Sequence, residues 1–198
     1  LIALGRLSLR IRLPYPTGAF ADEGVNYAEN ALHQSSILQK DFNHATIQHI
    51  LDTTTYYVQT KWKGSAVIQQ KQAHYFLLIP AKKNQSFEVG FCFTNLKNSN
   101  SADYVSTMQS SIAGWKKFWM SGAAMDFSGS TDQRAFELER RIVLSQYLTK
   151  VQCAGSNPPQ ETGLTYNSWF GKPHMEMYWW HAAHFALWNR TDLLEKSM

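Results

Sequence analysis

The residues best able to do chemistry lie close together near the end of the chain, within residues 160–190. This stretch holds four of the seven tryptophans and three of the seven histidines. A sugar-binding site needs flat apolar rings for the C–H face of the sugar, and carboxylate, imidazole or amide groups for its hydroxyls. The sequence therefore predicts a sugar-binding wall formed by Trp169, His174, Glu176 and Trp180.

The geometry of His174 and Glu176 depends on the local backbone. Both lie beside Gly171 and Pro173, where a loop gives way to a helix, and functional side chains are often held at such junctions. If residues 174–176 are extended, the two side chains point to the same side. If they are already helical, the side chains diverge by about 200° and a shared site is disfavoured.

Other residues of this stretch have a structural interpretation. The spacing of the large aromatic side chains is also that of a helix packed in a core, which applies to Trp179, Phe185 and Trp188. His181 and His184 fit buried or interfacial histidines. A zinc site from Glu176, His181 and His184 matches no established ligand spacing, so we predict no metal. No phosphate loop or dinucleotide fingerprint is present, and we predict no cofactor.

Composition excludes several classes of protein. The 198 residues are 44% hydrophobic and 14% aromatic, which is incompatible with a disordered chain. No apolar run approaches the roughly 20 residues that cross a bilayer, so no membrane partner is expected. The net charge of +4 comes from scattered basic residues, which disfavours nucleic-acid binding. Two cysteines, Cys92 and Cys153, make no disulfide framework; Cys92 fits a buried strand position, and pairing of the two stays open.

The elements that must position the site fall into two blocks. Residues 1–96 predict short antiparallel strands separated by turns, which is typical of a β-sandwich. Strands are predicted at residues 2–13, 46–52, 55–62, 66–70, 74–79 and 86–93, and residues 21–36 are predicted as a long loop.

Helical periodicity replaces the strand pattern after residue 101. A helix over 102–120 is predicted with Ser101 or Asp103 as its cap, and with an apolar stripe of Val105, Met108, Ile112, Trp115 and Trp119. A helix over 133–151 is predicted to share a face among Phe136, Val143, Tyr147, Leu148 and Val151. A third is predicted from Pro173 to about residue 189.

The fold class that follows is α+β, because strands and helices are segregated along the chain. We predict a sandwich domain at 1–96, a helical linker at 97–132 and a helical domain beginning at 133–198.

Several motifs resemble a known superfamily in this same order of parts. These are the Gly-Trp-Lys-Lys-Phe-Trp run at 114–119, the Ser-Gln-Tyr stretch at 145–147, Gly163-Leu164, and the Gly-Lys-Pro-His-x-Glu-Met pattern at 171–177. The chain resembles the bacterial glycoside hydrolases and phosphorylases with an (α/α)6 toroid, the six-hairpin glycosidases that include maltose phosphorylase and α-L-fucosidase relatives. The last pattern is similar to that of a bacterial glycosidase-like family.

The resemblance implies an N-terminal fragment of an enzyme that cleaves a glycosidic bond, by hydrolysis in preference to phosphorolysis. It implies an oligosaccharide or glycoside as partner, a periplasmic or secreted location, and a main catalytic carboxylate beyond Met198. The fragment alone is then expected to be inactive.

Two alternatives remain open at this point. One is a non-enzymatic carbohydrate-binding sandwich, with aromatic residues such as Tyr56 or Trp62 exposed on a sheet face. The other is a sandwich with a structural or dimerisation role.

Overall fold

The computed structural model describes residues 1–17, 20, 25–99, 103–164 and 171–198. Strands come first along the chain and helices follow, so the chain is an α+β protein, as predicted. The strands are β1 (Leu9–Arg12), β2 (Tyr15–Pro16), β3 (Val25–Asn26), β4 (His33–Lys40), β5 (His44–Leu51), β6 (Thr54–Lys63), β7 (Ala66–Gln72), β8 (Tyr75–Pro80) and β9 (Glu88–Thr94). The helices are α1 (Tyr104–Met120), α2 (Ala135–Cys153), α3 (Met175–Leu187) and α4 (Thr191–Glu195).

The described strands pair antiparallel throughout. A three-stranded sheet has the order β1-β8-β7, a four-stranded sheet has the order β4-β5-β6-β9, and β2 pairs with β3 in a small ribbon. The connection from β7 to β8 is a tight turn in which His74 takes a positive φ of 58°. This turn places the His74 side chain against the neighbouring sheet.

The predicted strands from β5 to β9 are confirmed. The prediction for the first forty residues is wrong in two places. β1 spans only Leu9–Arg12 within the predicted 2–13, and the predicted loop at 21–36 contains β3 and the start of β4. In β4 the inward positions begin with His33 and Ser35 before Ile37. Because two of these three inward residues are polar, the strand lacks the apolar alternation that marks a half-buried strand.

The strand unit has one continuous core. Its buried residues come from both large sheets and from the segment after β1, and they are Ile11, Leu13, Ala45, Ile47, Val58, Trp62, Ile68, Phe76 and Leu78. In β8 the buried and half-buried positions alternate along the strand, as expected when one face of a sheet is packed on a core. The hydrophobic burial of these side chains is the main favourable term in folding this unit.

The helices begin and end close to their predicted bounds, but their buried faces differ from the prediction. The buried residue of α1 is Phe118, and those of α2 are Gln146 and Cys153. The predicted stripe residues Val105, Met108 and Ile112 are exposed, and all five residues of the predicted α2 face are exposed. The cap prediction is confirmed for Asp103, whose carboxylate accepts a hydrogen bond from the Ser106 amide at 2.8 Å; Ser101 lies outside the described residues.

A buried arginine organises the core of the helical unit. Arg190 is 1% exposed, and its guanidinium donates to the Phe118 carbonyl at 3.0 Å, to the Ala123 carbonyl at 3.3 Å and to the Gln146 side-chain oxygen at 3.3 Å. The same guanidinium lies 4.0 Å from the centre of the Phe118 ring. These hydrogen bonds replace those that water would make to the guanidinium. Burial of the charge without such partners would be very costly. The apolar part of this core is Phe118, Cys153, Ala182 and Phe185.

The chain divides into two compact units. The first comprises Leu1–Pro16 and Val25–Ile112, and the second includes Ala113–Met198. The division therefore falls inside α1, whereas the predicted three-part division at 1–96, 97–132 and 133–198 remains a prediction. Cys92 is half-buried, Cys153 is buried, and both are free thiols.

Candidate functional site

The predicted sugar-binding residues lie around the start of α3. Trp169 lies outside the described residues. His174 is the N-terminal cap residue of α3, with an extended backbone at φ −112° and ψ 112°, and its carbonyl accepts the Tyr178 amide at 3.1 Å. Met175 and Glu176 are already helical. The backbone thus changes from extended to helical between His174 and Glu176, so neither of the two uniform geometries considered for this pair applies.

Glu176, Trp179 and Trp180 project from the first turns of α3. Trp179 is 70% exposed and Trp180 is 63% exposed, and Glu176 is exposed as well. Residues four apart in a helix lie on the same side, so the Glu176 carboxylate and the Trp180 indole share one side of α3. Core packing, the alternative for the aromatic residues, holds for Phe185, which is fully buried, and is wrong for Trp179.

His181 faces the chain that precedes the helix. Its Nε2 lies 2.7 Å from the Glu161 carbonyl oxygen; because a carbonyl only accepts, Nε2 carries the proton. Its Nδ1 and the Glu161 Oε2 atom are buried without a hydrogen-bond partner among the described residues. His184 is exposed and stacks on Trp188, with ring centres 5.6 Å apart. Of the two alternatives for this residue, a buried histidine is wrong, and an interfacial one stays a prediction.

A cavity of about 690 Å³ lies in the same unit, at the end of α2 and the loop that follows it. It is lined by residues 150–152 and 154–160 together with Leu164 and Gly171. His174, Glu176 and Trp180 do not line it. The exposed side of α3 is therefore an open surface that is separate from this cavity.

A second cluster of chemically capable side chains lies in the first unit. His33 at the start of β4, His49 in β5 and His74 in the β7–β8 turn each place one ring nitrogen within 4.8 Å of the other two. In the described part of the chain, this trihistidine cluster is the one group of three or more histidine, cysteine or acidic side chains with such spacing. Glu176, His181 and His184, whose spacing gave no prediction of a metal site, do not form such a group among the described residues.

Hydrogen bonds and stacking hold the trihistidine cluster together. His33 Nδ1 lies 2.7 Å from His49 Nε2, and His49 Nδ1 lies 2.7 Å from the Tyr56 hydroxyl. His74 Nδ1 lies 2.7 Å from the Ser35 hydroxyl. The His33 and His74 rings stack with centres 3.5 Å apart and an angle of 17° between their planes.

The trihistidine cluster is almost fully buried. All three imidazoles are at most 6% exposed. Burial, followed by repulsion from His33 and His74, lowers the pKa of His49 to about 4. Burial and then the nearby His74 also lower the pKa of His33, and burial raises the pKa of Tyr56. Each neutral ring then has one nitrogen that donates and one that accepts.

Sequence reasoning missed this cluster because its members are far apart in the chain. His49 and His74 fall in segments predicted as strands, but His33 falls in the predicted loop. The useful signal was the alternation of His33, Ser35 and Ile37, which together with the pairing of β4 and β5 brings His33 and His49 to one face. No spacing motif records such an arrangement.

Comparison with known proteins gives no match among family models, curated proteins or solved structures. None of the described helices is both long enough and apolar enough to span a membrane. The functional assignment therefore depends on the residues themselves.

Proposed function

We propose that this chain is the N-terminal part of a carbohydrate-active enzyme that cleaves a glycosidic bond, and that α3 supplies one wall of its sugar site. The observation that carries this proposal is the exposure of Trp179 and Trp180 beside Glu176 on the first turns of α3. Exposed apolar patches rimmed by polar residues often mark a binding site. An indole face for sugar C–H groups and a carboxylate for hydroxyls make up a saccharide-binding surface.

Each residue has a separate task in this proposal. The Trp180 indole stacks on the apolar face of one sugar ring, and the Glu176 carboxylate, one turn earlier, accepts hydrogen bonds from its hydroxyls. We assign His174, at the helix start, to the same sugar site, together with Trp169, which lies outside the described residues. Glycosidases commonly need two carboxylates at a set separation, and we assign the main catalytic carboxylate to a part of the enzyme outside these 198 residues.

The finer architecture belongs to the same proposal. We infer that the first unit is an accessory β-sandwich, which is supported by the single core shared between its two large sheets. We infer that the helices after residue 132 open an (α/α)6 toroid. Support comes from α2, where Phe136 is 77% exposed and Leu138 is 52% exposed; further helices packed around α2 would bury this apolar surface.

The two residues named for the alternative, a carbohydrate-binding sandwich, are not available for binding a sugar. Trp62 is 3% exposed and belongs to the core, and the Tyr56 hydroxyl is engaged with His49. Exposed aromatic rings do occur elsewhere in this unit, because Phe93 on the edge strand β9 is 65% exposed. The alternative therefore depends on exposed rings such as Phe93 and Phe42 and remains testable.

One calorimetric titration tests both candidates. The 198-residue chain is titrated with a panel of neutral oligosaccharides, followed by the variants W180A and F93S. We expect binding that W180A weakens at least tenfold, about 1.4 kcal/mol, and that F93S leaves unchanged. Loss of binding in F93S alone would establish the sandwich module instead. Absence of binding across the panel, or an unaltered W180A, would remove the assignment of α3.

A further inference from the structure

The trihistidine cluster has the composition of a transition-metal site. Imidazole nitrogen is a preferred ligand of Zn²⁺, Cu²⁺, Ni²⁺ and Co²⁺, whereas Mg²⁺ and Ca²⁺ prefer oxygen. Three histidines with an open fourth position are one of the established zinc ligand sets. His33, His49 and His74 come from three separate segments of the chain and have ring nitrogens within 4.8 Å of one another.

The outer hydrogen bonds already orient two of the rings. His74 Nε2 lies 3.0 Å from the Asn30 carbonyl oxygen, which can only accept, so Nε2 carries the proton and Nδ1 keeps a lone pair. That lone pair now accepts from the Ser35 hydroxyl. The Tyr56 hydroxyl engages His49 Nδ1, which leaves His49 Nε2 facing into the cluster. Metal-binding histidines commonly have their other nitrogen held in this way.

The contacts within the cluster define what must move when an ion binds. Two nitrogens on one tetrahedral zinc ion at the usual bond length are about 3.3 Å apart, but His33 Nδ1 and His49 Nε2 are 2.7 Å apart and share a proton. Parallel stacked rings cannot aim their lone pairs at one ion, and His33 is stacked on His74. The His33 ring must therefore turn out of the stack, which breaks this hydrogen bond. Its proton moves to the other nitrogen of the same ring, so the nitrogen that binds the ion has a lone pair.

His33 is suited to this movement. It is the first residue of β4, so a rotation of its side chain leaves the rest of the strand in register. Neither of its ring nitrogens is held by a hydrogen bond from outside the cluster among the described residues, in contrast to His49 and His74. The Ser35 hydroxyl, released from His74, or a water molecule can occupy the fourth position.

We propose that His33, His49 and His74 bind one divalent transition-metal ion, with zinc as the reference ion and His33 as the ligand that reorients. The site belongs to the first unit, whereas the α3 residues of the proposed sugar site belong to the second, and it does not depend on that function. Because its three ligands are buried in this unit and come from separate segments, binding of the ion would stabilise the unit.

Metal titration of the intact chain tests the proposal. Chelator-treated protein is titrated with ZnCl₂ by calorimetry and with CoCl₂ by visible absorption. We expect one ion per chain, cobalt bands of four-coordinate intensity, and an X-ray absorption spectrum that fits three imidazole nitrogens. These measurements need no substitution, so they remain informative if a variant misfolds. A folded wild-type protein that binds neither ion at 100-fold molar excess would overturn the proposal.

Three variants locate the ion. H33Q should weaken zinc binding at least tenfold, and Y56F, which removes only an outer hydrogen bond, should weaken it less. H44Q is the matched control, because His44 lies in β5 outside the cluster and should leave affinity unchanged. Equal affinity in H33Q and the wild type, or loss in H44Q alone, would place the ion elsewhere and refute the assignment.

Discussion

The two units bury different kinds of group at their centres. The first surrounds fully buried apolar side chains, such as Ile47, Phe76 and Leu78, with two sheets, and it also buries the trihistidine cluster. The second centres on the Arg190 guanidinium and leaves much of the apolar surface of α2 exposed. The first core is therefore mainly apolar, whereas the second is built around a charged group and leaves large apolar side chains at the surface.

Truncation of a core residue should give the largest change in the free energy of unfolding, and it tests the difference between the two units directly. Phe76 in β8 is fully buried, whereas Phe136 in α2 is 77% exposed. We expect F76A to lower the free energy of unfolding by about 3–5 kcal/mol through lost burial and a residual cavity. F136A should change it by less than about 0.5 kcal/mol. Urea unfolding followed by circular dichroism measures both, and equal effects would contradict the assignment of the two surfaces.

Removal of the buried arginine should have the next largest effect. R190M keeps much of the side-chain volume but leaves two carbonyls and the Gln146 side-chain oxygen without their donor, so we expect a loss of about 2–4 kcal/mol. Arg134, which is highly exposed and pairs with Asp132, supplies the control R134M, with an expected change below about 0.5 kcal/mol. If R190M is as stable as R134M, the guanidinium does not organise the second core.

Glycine substitutions should give a smaller effect that depends on local space. A Cβ on Gly122 would collide with the Trp188 carbonyl and the Arg190 side chain, while one on Gly129 meets nothing within 4 Å. G122A should therefore destabilise the chain by about 1–3 kcal/mol, and G129A should be nearly neutral. The same urea titration distinguishes them. A neutral G122A would mean that the turn after α1 packs less closely against Arg190.

Cysteine labelling tests the burial of the second core through a reaction rate, without a substitution. Burial raises the pKa of Cys153 to about 11 from its ordinary value of 9.0. The reactive thiolate is then about a hundredfold scarcer at pH 8 than for an ordinary cysteine, so alkylation by iodoacetamide should slow at least by that factor. Mass spectrometry measures the rate for Cys153 in native protein and in urea. Equal rates would show that this thiol is accessible.

The contrast between the units also explains how much of the fold could be predicted. The strands from β5 to β9 were predictable because β-branched and aromatic residues alternate in them, as Val58 and Trp62 illustrate. β4 was hidden because His33 and Ser35 occupy inward positions. The helix bounds were predictable, but their packed faces were not, since Arg190 and Gln146 are buried where a binary pattern expects apolar residues.

The two candidate sites also differ in how far they could be predicted from the sequence. Glu176 and Trp180 share a side of α3 because of their spacing, and a sequence pattern can reveal such a local relation. The approach of His33, His49 and His74 depends on strand pairing and on the positive φ of His74, which are long-range and conformational features. A site built by sheet register is therefore hidden from spacing rules even when each residue is visible.

The distribution of indole rings has an optical consequence. Trp62 is the sole tryptophan before residue 113, and the other six follow it at 115, 119, 169, 179, 180 and 188. Trp62 lies in an apolar core, while Trp179 and Trp180 face solvent, and indole emission shifts to shorter wavelength in apolar surroundings. Tryptophan fluorescence should thus come mainly from the helical unit. In a W62F protein, the tryptophan fluorescence would report on that unit alone.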